Sequence, residues 1–530
     1  MPLGVRLTNG LEQPPAGANR AVGPSASTYE DLCTVLVFGD QLNLAIGALS
    51  RRSPGECRVL LITSDELVTG RRWHRQRLHM ILSAMAHFAA ELRSAGFTVD
   101  ERRAPTFTMG LADHVSVHHP SEIVATEPNS RTAMAWCRRH GVATERSNQF
   151  LCHRDDFARW ADSRAGKRLR MEDFYRRQRL ALGVLMEDGE PTGGVWNFDH
   201  ENREPPPRDG RSWPSAEPFA LDDLDRQVIE MMPADLPGAP PFGQWPVTRE
   251  QALNRLGSFV ADGLPRFGPH EDAMLAAEWK LAHSVLSASL NIGLLLPGEV
   301  VEAAEAAARQ RAVPLASAEG FIRQIVGWRE YVWGLSWWFG PGYARLNELE
   351  ARHPLPTAFR AESLDEIVDS GDMACVTNVL SKLHQYGWAH HIERLMILGN
   401  LALLIGVEPT VMTRWMHERF VDGAEWVMLP NVLGMALYAD GGQMATKPYA
   451  SGGAYINRMS DHCRGCRYEP KLRTGPTACP FTSMYWDLIA RHEDRFAANH
   501  RMSRAVAASR RLSDLDDTRQ RAAEVRDAIT

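Results

Sequence analysis

Four cysteines in the last third of the chain constrain its fold more than any other feature. Cys375 stands alone, Cys463 and Cys466 form a Cys-x-x-Cys pair, and Cys479 is followed by a proline. Thiolates are soft ligands for zinc or iron–sulfur centres, and a Cys-x-x-Cys pair lets two sulfur atoms converge on one site. From spacing alone, three interpretations stay open: a cubane iron–sulfur cluster, a zinc ion, or free thiols. In either metal case, Cys375 would tie a distant helix onto the C-terminal segment.

Composition narrows the class of protein. With 530 residues, 44% of them hydrophobic, the chain is long enough for about two to four domains. Its net charge of −6 excludes a globally basic nucleic-acid binder, so any contact with DNA must come from one local face. No apolar run is long enough to span a bilayer. Eight cysteines without a hydrophobic signal sequence predict the cytoplasm. The four scattered ones are expected to be buried or inert: Cys33, Cys57, Cys137 and Cys152.

The first 150 residues show a change from a leader to an alternating α/β pattern. Residues 1–31 are rich in Pro, Gly, Ala and Ser without apolar periodicity, which predicts a disordered leader. Strand-like runs then alternate with helical patterns, so residues 32–150 are predicted to form a doubly wound parallel α/β domain. Ligands bind such sheets at the carboxyl ends of strands, where Gly39, Asp40 and Gln41 follow the first strand. A tight turn explains these three residues equally well, and no GxGxxG fingerprint follows that strand.

The rest of the chain divides into a connector, a helical half and a tail. Residues 151–246 are irregular and charged, and include a basic helix-like segment, 164–179, that could face phosphates or solvent. Strand-like runs vanish after residue 246, so residues 247–499 are predicted to be all-helical. Residues 500–530 form a charged tail, either a surface helix or frayed. The long helices are expected over residues 271–296, 297–311, 318–333, 373–404 and 408–420.

Other residues in the helical half could carry chemistry. His390 and His391 are predicted to lie on one helix about 100° apart, so that one of them faces a given pocket, as a proton donor or in a structural role. Residues 440–473 combine glycines and basic residues with Tyr449 and Tyr455, which is typical of a surface that binds phosphates and stacks bases, or of a solvated loop. Tryptophans suit either a packed core or a chain of electron carriers: Trp328, Trp333, Trp337, Trp338, Trp388, Trp415, Trp426 and Trp486.

At these residues the sequence resembles the bacterial photolyase/cryptochrome family that carries an iron–sulfur cluster, the photolyase-related proteins with (6-4) photolyase activity. The likeness spans residues 36–486. It rests on long phrases: FGDQLN at 38–43, RMEDFYRRQR at 170–179, GGVWNFDHENR at 193–203, HSVLSASLNIGLL at 283–295, GWREYVWG at 327–334, HHIERLMILGN at 390–400, PNVLGMALYADGG at 430–442 and ATKPYASGGAYINRMSDHCRGC at 445–466. The resemblance favours a [4Fe–4S] cluster at the four cysteines over the two alternatives.

The resemblance also implies a fold and an activity. It implies an α/β antenna domain and a helical domain that holds U-shaped FAD, from which light drives an electron into UV-damaged DNA. His390 and His391 would supply the proton that a (6-4) lesion needs, Tyr449 and Tyr455 would line the lesion pocket, and Trp415 would be the aromatic nearest the flavin. The implied FAD contacts are His283, Ser284, Ser287, Asn291, Trp328, Arg329, Arg394, Asp422, Met428 and Asn431.

Further expectations follow from the same family. The antenna would be 6,7-dimethyl-8-ribityllumazine at Gly39, Asp40 and Gln41. A DNA lyase of this kind would be cytoplasmic and associated with the nucleoid when bound to DNA, with no obligate protein partner. Residues 63–66 depart from the usual sequence on the antenna side.

Two departures in the helical half bear on the flavin. The family's aromatic-Trp-Thr-Gly segment, which carries a terminal electron carrier before the first cluster cysteine, is replaced here by residues 365–369 around Ile367. Met428 stands where relatives often have a carboxylate near the flavin ring, and a neutral thioether would change which flavin redox state is stabilised. Three hypotheses follow: a (6-4) photolyase, a cryptochrome-like blue-light photoreceptor without repair activity, and a zinc-stapled DNA-binding protein without flavin.

Overall fold

Five strands in the first third of the chain form one parallel sheet. The computed structural model describes residues 32–370 and 373–530, so the predicted leader over residues 1–31 lies outside the described residues. The sheet order is β3-β2-β1-β4-β5, and Val35 pairs with Val59 and Val124 in register. The strands are β1 (Cys33–Val37), β2 (Cys57–Ser64), β3 (Thr98–Ala104), β4 (Ile123–Thr126) and β5 (Ala143–Glu145).

Helices cover both faces of this sheet, as expected for a doubly wound domain. Because helices on both sides exclude water, the central strands read as continuous apolar runs. The strand order reverses between β1 and β4, and ligands of such sheets bind in the crevice at this reversal. The predicted antenna loop, residues 39–41, follows β1 at that crevice. The helices are α1 (Asp65–Thr69), α2 (Arg75–Ser94), α3 (Phe107–His118) and α4 (Arg131–Arg139).

The segment predicted as an irregular connector contains regular structure. It includes α5 (Arg154–Asp162), α6 (Met171–Leu182) and α7 (Asp223–Met231), together with a short hairpin of β6 (Met186–Glu187) and β7 (Glu190–Pro191). Phe157, Phe174 and Tyr175 are each at most 2% exposed. Arg159, Glu172 and Arg176 lie on the exposed faces of α5 and α6, while the apolar faces of these helices join the main core. Arg179 is an exception: it is fully buried and donates to the Val184 and Trp196 carbonyls.

The second half of the chain is helical, as predicted. Short π-helical turns interrupt or extend its helices: Phe259–Gly263, Arg323–Arg329, Glu393–Gly399 and Leu429–Ala436. The α-helices are α8 (Arg249–Ser258), α9 (Leu264–Phe267), α10 (Ser287–Asn291), α11 (Pro297–Arg309), α12 (Leu315–Ile322), α13 (Glu330–Trp338), α14 (Thr357–Arg360), α15 (Leu364–Asp369), α16 (Ala374–Tyr386), α17 (Asn400–Ile405), α18 (Pro409–Arg419), α19 (Glu425–Met428), α20 (Gly453–Met459), α21 (Pro480–Arg491), α22 (Glu493–Ala497), α23 (Ser503–Ser509) and α24 (Leu515–Ile529).

The prediction of one helix over residues 271–296 is wrong. Within it only α10 is α-helical, and the rest is turns and extended chain. Leu281 and Val285 have φ values of +46° and +50°, which an α-helix does not accommodate. Met274 forms a bridge with Ser460. The apolar spacing reflects residues buried by distant parts of the chain, so tertiary contacts override the local pattern.

The prediction of one helix over residues 373–404 is also wrong. The helix α16 ends at Tyr386, and Gly387 caps it in the left-handed conformation with φ of 65°. The helical path resumes at His391. His390 therefore lies just before the second helix, not inside a continuous one. As a result, the two imidazoles lie in different environments: His390 is fully buried, whereas the side chain of His391 is 47% exposed.

Two large cores meet near this break. One joins the sheet and α2 to α5, α6 and α11–α13, and the other fills the space among α16–α24. Trp388 belongs to the first core and Ile392 to the second. The segment that carries the histidine pair thus runs along the boundary between the two cores.

The predicted charged tail is folded onto α21. Its helices α23 and α24 pack there, and Asp487 of α21 is only 2% exposed. Asp487 accepts hydrogen bonds from Arg491 at 2.8 Å and from Arg526 of α24 at 3.0 Å. The helical alternative for the tail is therefore the one observed. No helix within the described residues is long and apolar enough to cross a membrane.

Candidate functional site

Asp422 is the point at which three separate segments meet. It lies between α18 and α19, is 5% exposed, and accepts both terminal guanidinium nitrogens of Arg394 at 2.8 and 3.0 Å. The Ser287 hydroxyl of α10 donates to the same carboxylate at 2.6 Å, and the Asn291 amide donates to the Asp422 carbonyl at 3.0 Å. Because a bidentate arginine–carboxylate pair is strong and directional, Asp422 fixes α10 against the segment that follows α16.

Arg394 also orders the aromatic rings around it. Its guanidinium carbon lies 4.3 Å from the ring centre of Phe420 and 5.5 Å from that of Trp388. Arg394 belongs to the π-helical turn Glu393–Gly399. Such turns redirect side chains and are frequent at functional sites. Two further π-helical turns carry predicted site residues: Trp328, Arg329 and Asn431.

Two buried imidazoles stack next to this pair. The ring centres of His283 and His390 are 4.6 Å apart, and the rings are inclined by 19°. His283 Nδ1 donates to the Lys280 carbonyl at 2.9 Å, whereas His283 Nε2 and both ring nitrogens of His390 have no hydrogen-bond partner among the described residues. Unpaired buried nitrogens are costly, so they indicate a pocket that binds a polar group.

Both of these imidazoles are neutral near pH 7. Burial, assisted by the nearby His391, lowers the pKa of His283 to about 3. Burial, with His283 as the next cause, lowers the pKa of His390 well below its ordinary value. Neither ring can therefore deliver a proton from an imidazolium at neutral pH.

His391 differs from its two neighbours. Its side chain is 47% exposed, and its Nε2 lies 3.4 Å from Asp272 Oδ1. Partial burial opposes the charged ring, but the Asp272 carboxylate more than offsets this and raises the pKa of His391 above the usual value. One nitrogen of each of the three histidines lies within 4.8 Å of the others. His391 is thus the member of this cluster that carries a proton most readily.

Glu271 is a site residue that was not predicted from the sequence. Its carboxyl is 6% exposed and accepts a hydrogen bond from Gln324 at 2.7 Å. Burial raises its pKa to about 7, against the lowering effect of His391. A carboxyl that titrates near neutral pH suits proton transfer. The sequence contains the acidic pair Glu271-Asp272, but the helix predicted over residues 271–296 gives no sign that the pair lies near His391.

The two predicted lesion-pocket tyrosines share Arg203 as a neighbour. Burial, with Asp272 as the next cause, raises the pKa of Tyr455 to about 12, and burial also raises the pKa of Tyr449. The Arg203 guanidinium is close enough to lower the pKa of both phenols. Both rings are half-buried. Both tyrosines therefore lie near Arg203, and Tyr455 also lies near Asp272, the partner of His391.

One aromatic ring, that of Phe420, lies between Trp415 and the Arg394–Asp422 pair. It stacks on Phe359 with ring centres 4.7 Å apart, and its Nε1 donates to the Phe359 carbonyl at 2.7 Å. It also meets Phe420 edge-on at 6.3 Å. Ile367, which stands where the family has its terminal electron carrier, is 4% exposed and packs in the same core.

The four C-terminal cysteines line one cavity. Cys375 lies in the first turn of α16, and Cys479 is the N-cap residue of α21. Cys463 lies within the 3₁₀ turn His462–Gly465, and Cys466 directly follows that turn. A Cβ atom on Gly453 would lie 2.7 Å from Cys479 Sγ, so only glycine allows α20 to approach this closely. The cavity joins α16, α20 and α21.

Burial disfavours the charged form of Cys375 and Cys463. Burial, with the neighbouring thiols, raises the pKa of Cys463 to about 12 and that of Cys375 well above its ordinary value. A bound metal stabilises the deprotonated form that such burial opposes. In the described part of the chain, the sets of three ligand atoms within 4.8 Å of one another do not include these thiols. Tetrahedral zinc would hold its sulfur ligands about 3.8 Å apart.

Proteins with related sequences place the chain in a family. The sequence profile described as deoxyribodipyrimidine photo-lyase-related protein matches residues 35–244. The chain is 40% identical over 498 residues to a (6-4) photolyase of Agrobacterium fabrum, which covers 91% of this chain and 96% of that protein. The chain belongs to the photolyase/cryptochrome family. The resemblance drawn from the sequence motifs is confirmed, and membership implies a flavin cofactor.

Solved structures of the photolyase/cryptochrome family share the fold. A bacterial class III photolyase from Agrobacterium tumefaciens superposes with a TM-score of 0.53 at 18% identity, over 95% of this chain and 98% of that one. A cryptochrome from Synechocystis superposes with a TM-score of 0.51 at 14% identity, over 76% of this chain and 82% of that one. The predicted order of an α/β domain followed by a helical domain is confirmed.

In this photolyase-family chain, Arg329 is linked through Gln149 to Asn291, the residue that donates to the Asp422 carbonyl. Arg329 donates to Glu330 at 2.7 Å and to the Gln149 carbonyl at 3.2 Å. The Gln149 amide in turn lies 3.5 Å from the Asn291 carbonyl at the end of α10. The other predicted flavin contacts have local partners: Ser284 accepts from the Leu286 amide, Asn431 donates to the Val427 carbonyl, Trp328 meets Tyr331 edge-on and Met428 is buried in the second core.

The predicted antenna loop is bonded to its neighbours by side-chain amides. Asn129 donates to Asp40 Oδ2 at 3.1 Å, and Gln149 donates to the Asp40 carbonyl at 2.6 Å. Burial raises the pKa of Asp40 to about 6, although Asn129 opposes the shift. Gln41 donates to the Glu127 carbonyl at 3.0 Å, and its Oε1 has no partner within the described residues. Gln149 thus links this loop to the end of α10.

Proposed function

We propose that this protein is a light-dependent DNA lyase that repairs (6-4) pyrimidine photoproducts with reduced FAD as the electron donor. The observation that carries this function is the His391–Asp272 pair, one proton-carrying imidazole next to two neutral, buried ones. Family chemistry requires a proton to accompany the electron into a (6-4) lesion, whereas a cyclobutane dimer does not need one. The 40% identity to a (6-4) photolyase supports the same substrate.

The residues around Asp422 fit FAD. The unpaired nitrogens of His283 and His390 need a polar partner, and the hydroxyl and amide groups of Ser287 and Asn291 suit phosphate and ribose oxygens. Ser284, Trp328, Arg329, Met428 and Asn431 would complete the site. When bound, reduced FAD supplies the light-driven electron. Arg394 and Asp422 form an ion pair without net charge, and the neutral Met428 would add no charge to the flavin site.

Proton handling belongs to the residues around His391. Asp272 keeps the imidazole charged, and His391 donates that proton to the lesion held between Tyr449 and Tyr455. The buried carboxyl of Glu271, with a pKa of about 7, is placed to return a proton to His391. His390 stays neutral and holds the bound cofactor against His283.

The four cysteines are proposed to hold a [4Fe–4S] cluster that joins α16 to α20 and α21. The support is that all four line one cavity, and the sequence resemblance favours this cluster over a zinc ion. The antenna is proposed to be 6,7-dimethyl-8-ribityllumazine at Gly39, Asp40 and Gln41. Its support is the position of the loop where the strand order reverses and the unpaired Oε1 of Gln41.

DNA binding would come from one face of this acidic protein. A damaged base pair costs less to extrude than an intact pair, so the lesion can leave the stack and enter the pocket. Arg203, Lys447 and Arg458 supply positive charge close to the two tyrosines. The enzyme would act in the cytoplasm, on the nucleoid, without an obligate protein partner.

A cryptochrome-like photoreceptor is the second candidate. The buried aliphatic Ile367 in place of a terminal electron carrier favours it, because the route by which family members reduce their flavin is altered here. Such a protein would change its flavin state in light without repairing DNA.

The test is a repair assay on the pure protein. Its absorption spectrum first establishes whether flavin and iron–sulfur bands are present. The reduced protein is then illuminated with an oligonucleotide that carries one (6-4) thymine photoproduct, and the products are separated by chromatography. We expect light-dependent recovery of the undamaged strand. An unchanged lesion with FAD bound would reject repair in favour of the photoreceptor, and a spectrum without either cofactor would reject both.

A further inference from the structure

A group of histidines and aspartates lies between α2 and α7, outside the flavin and lesion site. His79 and His87 are eight positions apart on α2, so they share one face of that helix with Ser83 between them. Asp222 caps the N terminus of α7, and Asp225 lies in its first turn. None of these residues has a part in the proposed repair reaction.

The distances between these side chains are those of ligands around an ion. His87 Nε2 lies 3.4 Å from Asp225 Oδ1 and 3.6 Å from Asp222 Oδ1, and His79 Nε2 lies 3.8 Å from Asp225 Oδ1. A direct hydrogen bond between nitrogen and oxygen has a mode of about 2.9 Å. Ligand atoms around a tetrahedral zinc ion, each about 2.0 Å from it, are about 3.3 Å apart.

The two imidazole nitrogens that face Asp225 are unsatisfied. His79 Nε2 and His87 Nε2 are buried and have no hydrogen-bond partner within the described residues. The side chains of His79 and Asp225 are only 5% and 3% exposed. Leaving polar atoms buried and unpaired is costly, and here two of them face the same carboxylate.

The two carboxylates are held in place by partners of their own. The backbone amide of Asp225 donates to Asp222 Oδ1, and that of Asp222 donates to Asp225 Oδ2, each at 3.0 Å. The Ser83 hydroxyl donates to Asp225 Oδ1. Outer partners of this kind orient ligands in metal sites. With neutral imidazoles, the two carboxylates give the group a charge complementary to a divalent cation.

We propose that His87, Asp222 and Asp225 bind a divalent transition-metal ion of the zinc class. Their ligand atoms lie within 4.8 Å of one another, and the unpaired His79 Nε2 lies 3.8 Å from Asp225 Oδ1 beside them. Imidazole and carboxylate groups are ligands of Zn²⁺, and water would take the fourth position of its tetrahedral shell. Asp222 is 55% exposed and gives the ion a path from solvent. The ion joins α2 of the α/β domain to α7, and its binding is independent of FAD and of the four C-terminal cysteines.

The structure offers matched variants for a test. Asp222→Asn removes a carboxylate ligand but keeps the helix cap, since asparagine caps a helix as well as aspartate does. His87→Gln removes an imidazole that is partly accessible, 13% exposed. Asp223→Asn is the control, because Asp223 is 93% exposed, lies in the same turn of α7 and undergoes the same change of charge.

The full-length protein with its cofactors is treated with a chelator, dialysed against Zn²⁺, and assayed for bound zinc by mass spectrometry and for affinity by calorimetry. We expect the wild type and Asp223→Asn to bind the ion equally. In Asp222→Asn and His87→Gln, the affinity should fall by more than the roughly ten- to hundredfold that loss of an outer partner costs. Cobalt substitution should give no thiolate-to-metal charge-transfer band.

The proposal is overturned if the wild type binds no zinc, if both variants bind like the control, or if zinc binds only as the iron absorbance is lost. Circular dichroism and flavin content show that each variant is folded, and Asp222→Ser, which keeps a helix cap without the carboxylate, replaces either variant that is not.

Discussion

Asp272 lies 3.4 Å from His391 and raises the pKa of that imidazole, so this single carboxylate sets the pH range of proton donation. The charged imidazole is present below the pKa of His391 and is lost as the pH rises through it. Repair should therefore decline on the alkaline side. Asp272→Asn removes the charge that raises the pKa of His391, and we expect the alkaline limb of the repair rate to move to lower pH.

This prediction is measured as repair rate against pH for the wild type and Asp272→Asn at constant light intensity. Asp262→Asn is the control, because Asp262 is exposed and distant in sequence from the histidines. Identical alkaline limbs in the wild type and Asp272→Asn would show that His391 does not depend on Asp272.

Trp415 is the residue whose replacement tests electron supply. It lies one ring away from Arg394, through Phe420, and an oxidisable ring at this position can pass an electron to the flavin site. We expect Trp415→Phe to slow photoreduction of the flavin strongly, measured by its absorbance under illumination. Trp486→Phe is the control because Trp486 is remote in α21 and packs on Tyr485. Equal photoreduction in the two variants would exclude Trp415 from the route.

At the scale of elements, the four cysteines bring α16, α20 and α21 together. Cys466→Ser removes one thiolate from a shared centre, so we expect loss of bound iron and a lower melting temperature. Iron content and thermal unfolding measure the two effects. Cys33→Ser is the matched control, since Cys33 lies in β1 and outside the cavity. Full iron content in Cys466→Ser would remove that cysteine from the ligand set.

The tail is held to α21 by a buried charge pair. Asp487→Ala would leave Arg526 buried without its carboxylate, and breaking such a pair costs about 3–5 kcal/mol of unfolding free energy. The exposed Asp517 in the first turn of α24 provides a control, for which we expect a cost below about 1 kcal/mol. Denaturant unfolding of both variants compares the costs. Similar small losses would mean that the tail contributes little to stability.

The elements that the sequence predicts well are those with strong local periodicity. The strands and helices of residues 32–150 follow their apolar patterns because the central strands are buried on both faces and the helices on one. Residues 271–296 fail because Leu281 and Val285 take left-handed conformations that only distant contacts stabilise. The end of α16 was predictable, since Gly387 is a typical left-handed cap.

The same contrast between local sequence patterns and distant contacts applies to the candidate site. The four cysteines and the flavin contacts are predicted from recognisable phrases of sequence, and these assignments stay predictions. The roles of Glu271, Asp272 and Arg203 could not, because they depend on contacts between segments that are far apart in the chain. Burial decides which imidazole is charged, and burial is a property of the folded chain.

At the scale of the whole molecule, the two halves are bonded to each other at the flavin site. Gln149 donates to the Asp40 carbonyl after β1 and lies 3.5 Å from the Asn291 carbonyl of α10. Asn43 donates to the Gly293 carbonyl at 3.0 Å. Hydrogen bonds thus connect the loop predicted to bind the antenna with the proposed flavin site, which would suit transfer of light energy between them.

The most direct test of the proposed function compares two lesions. The reduced wild type and His391→Asn are each illuminated with one oligonucleotide that carries a (6-4) thymine photoproduct and one that carries a cyclobutane dimer, and the restored strands are quantified by chromatography. We expect the wild type to repair the (6-4) lesion in light only, and His391→Asn to bind FAD but lose this repair. Repair of the cyclobutane dimer alone, or unchanged (6-4) repair by His391→Asn, would contradict the proposed function.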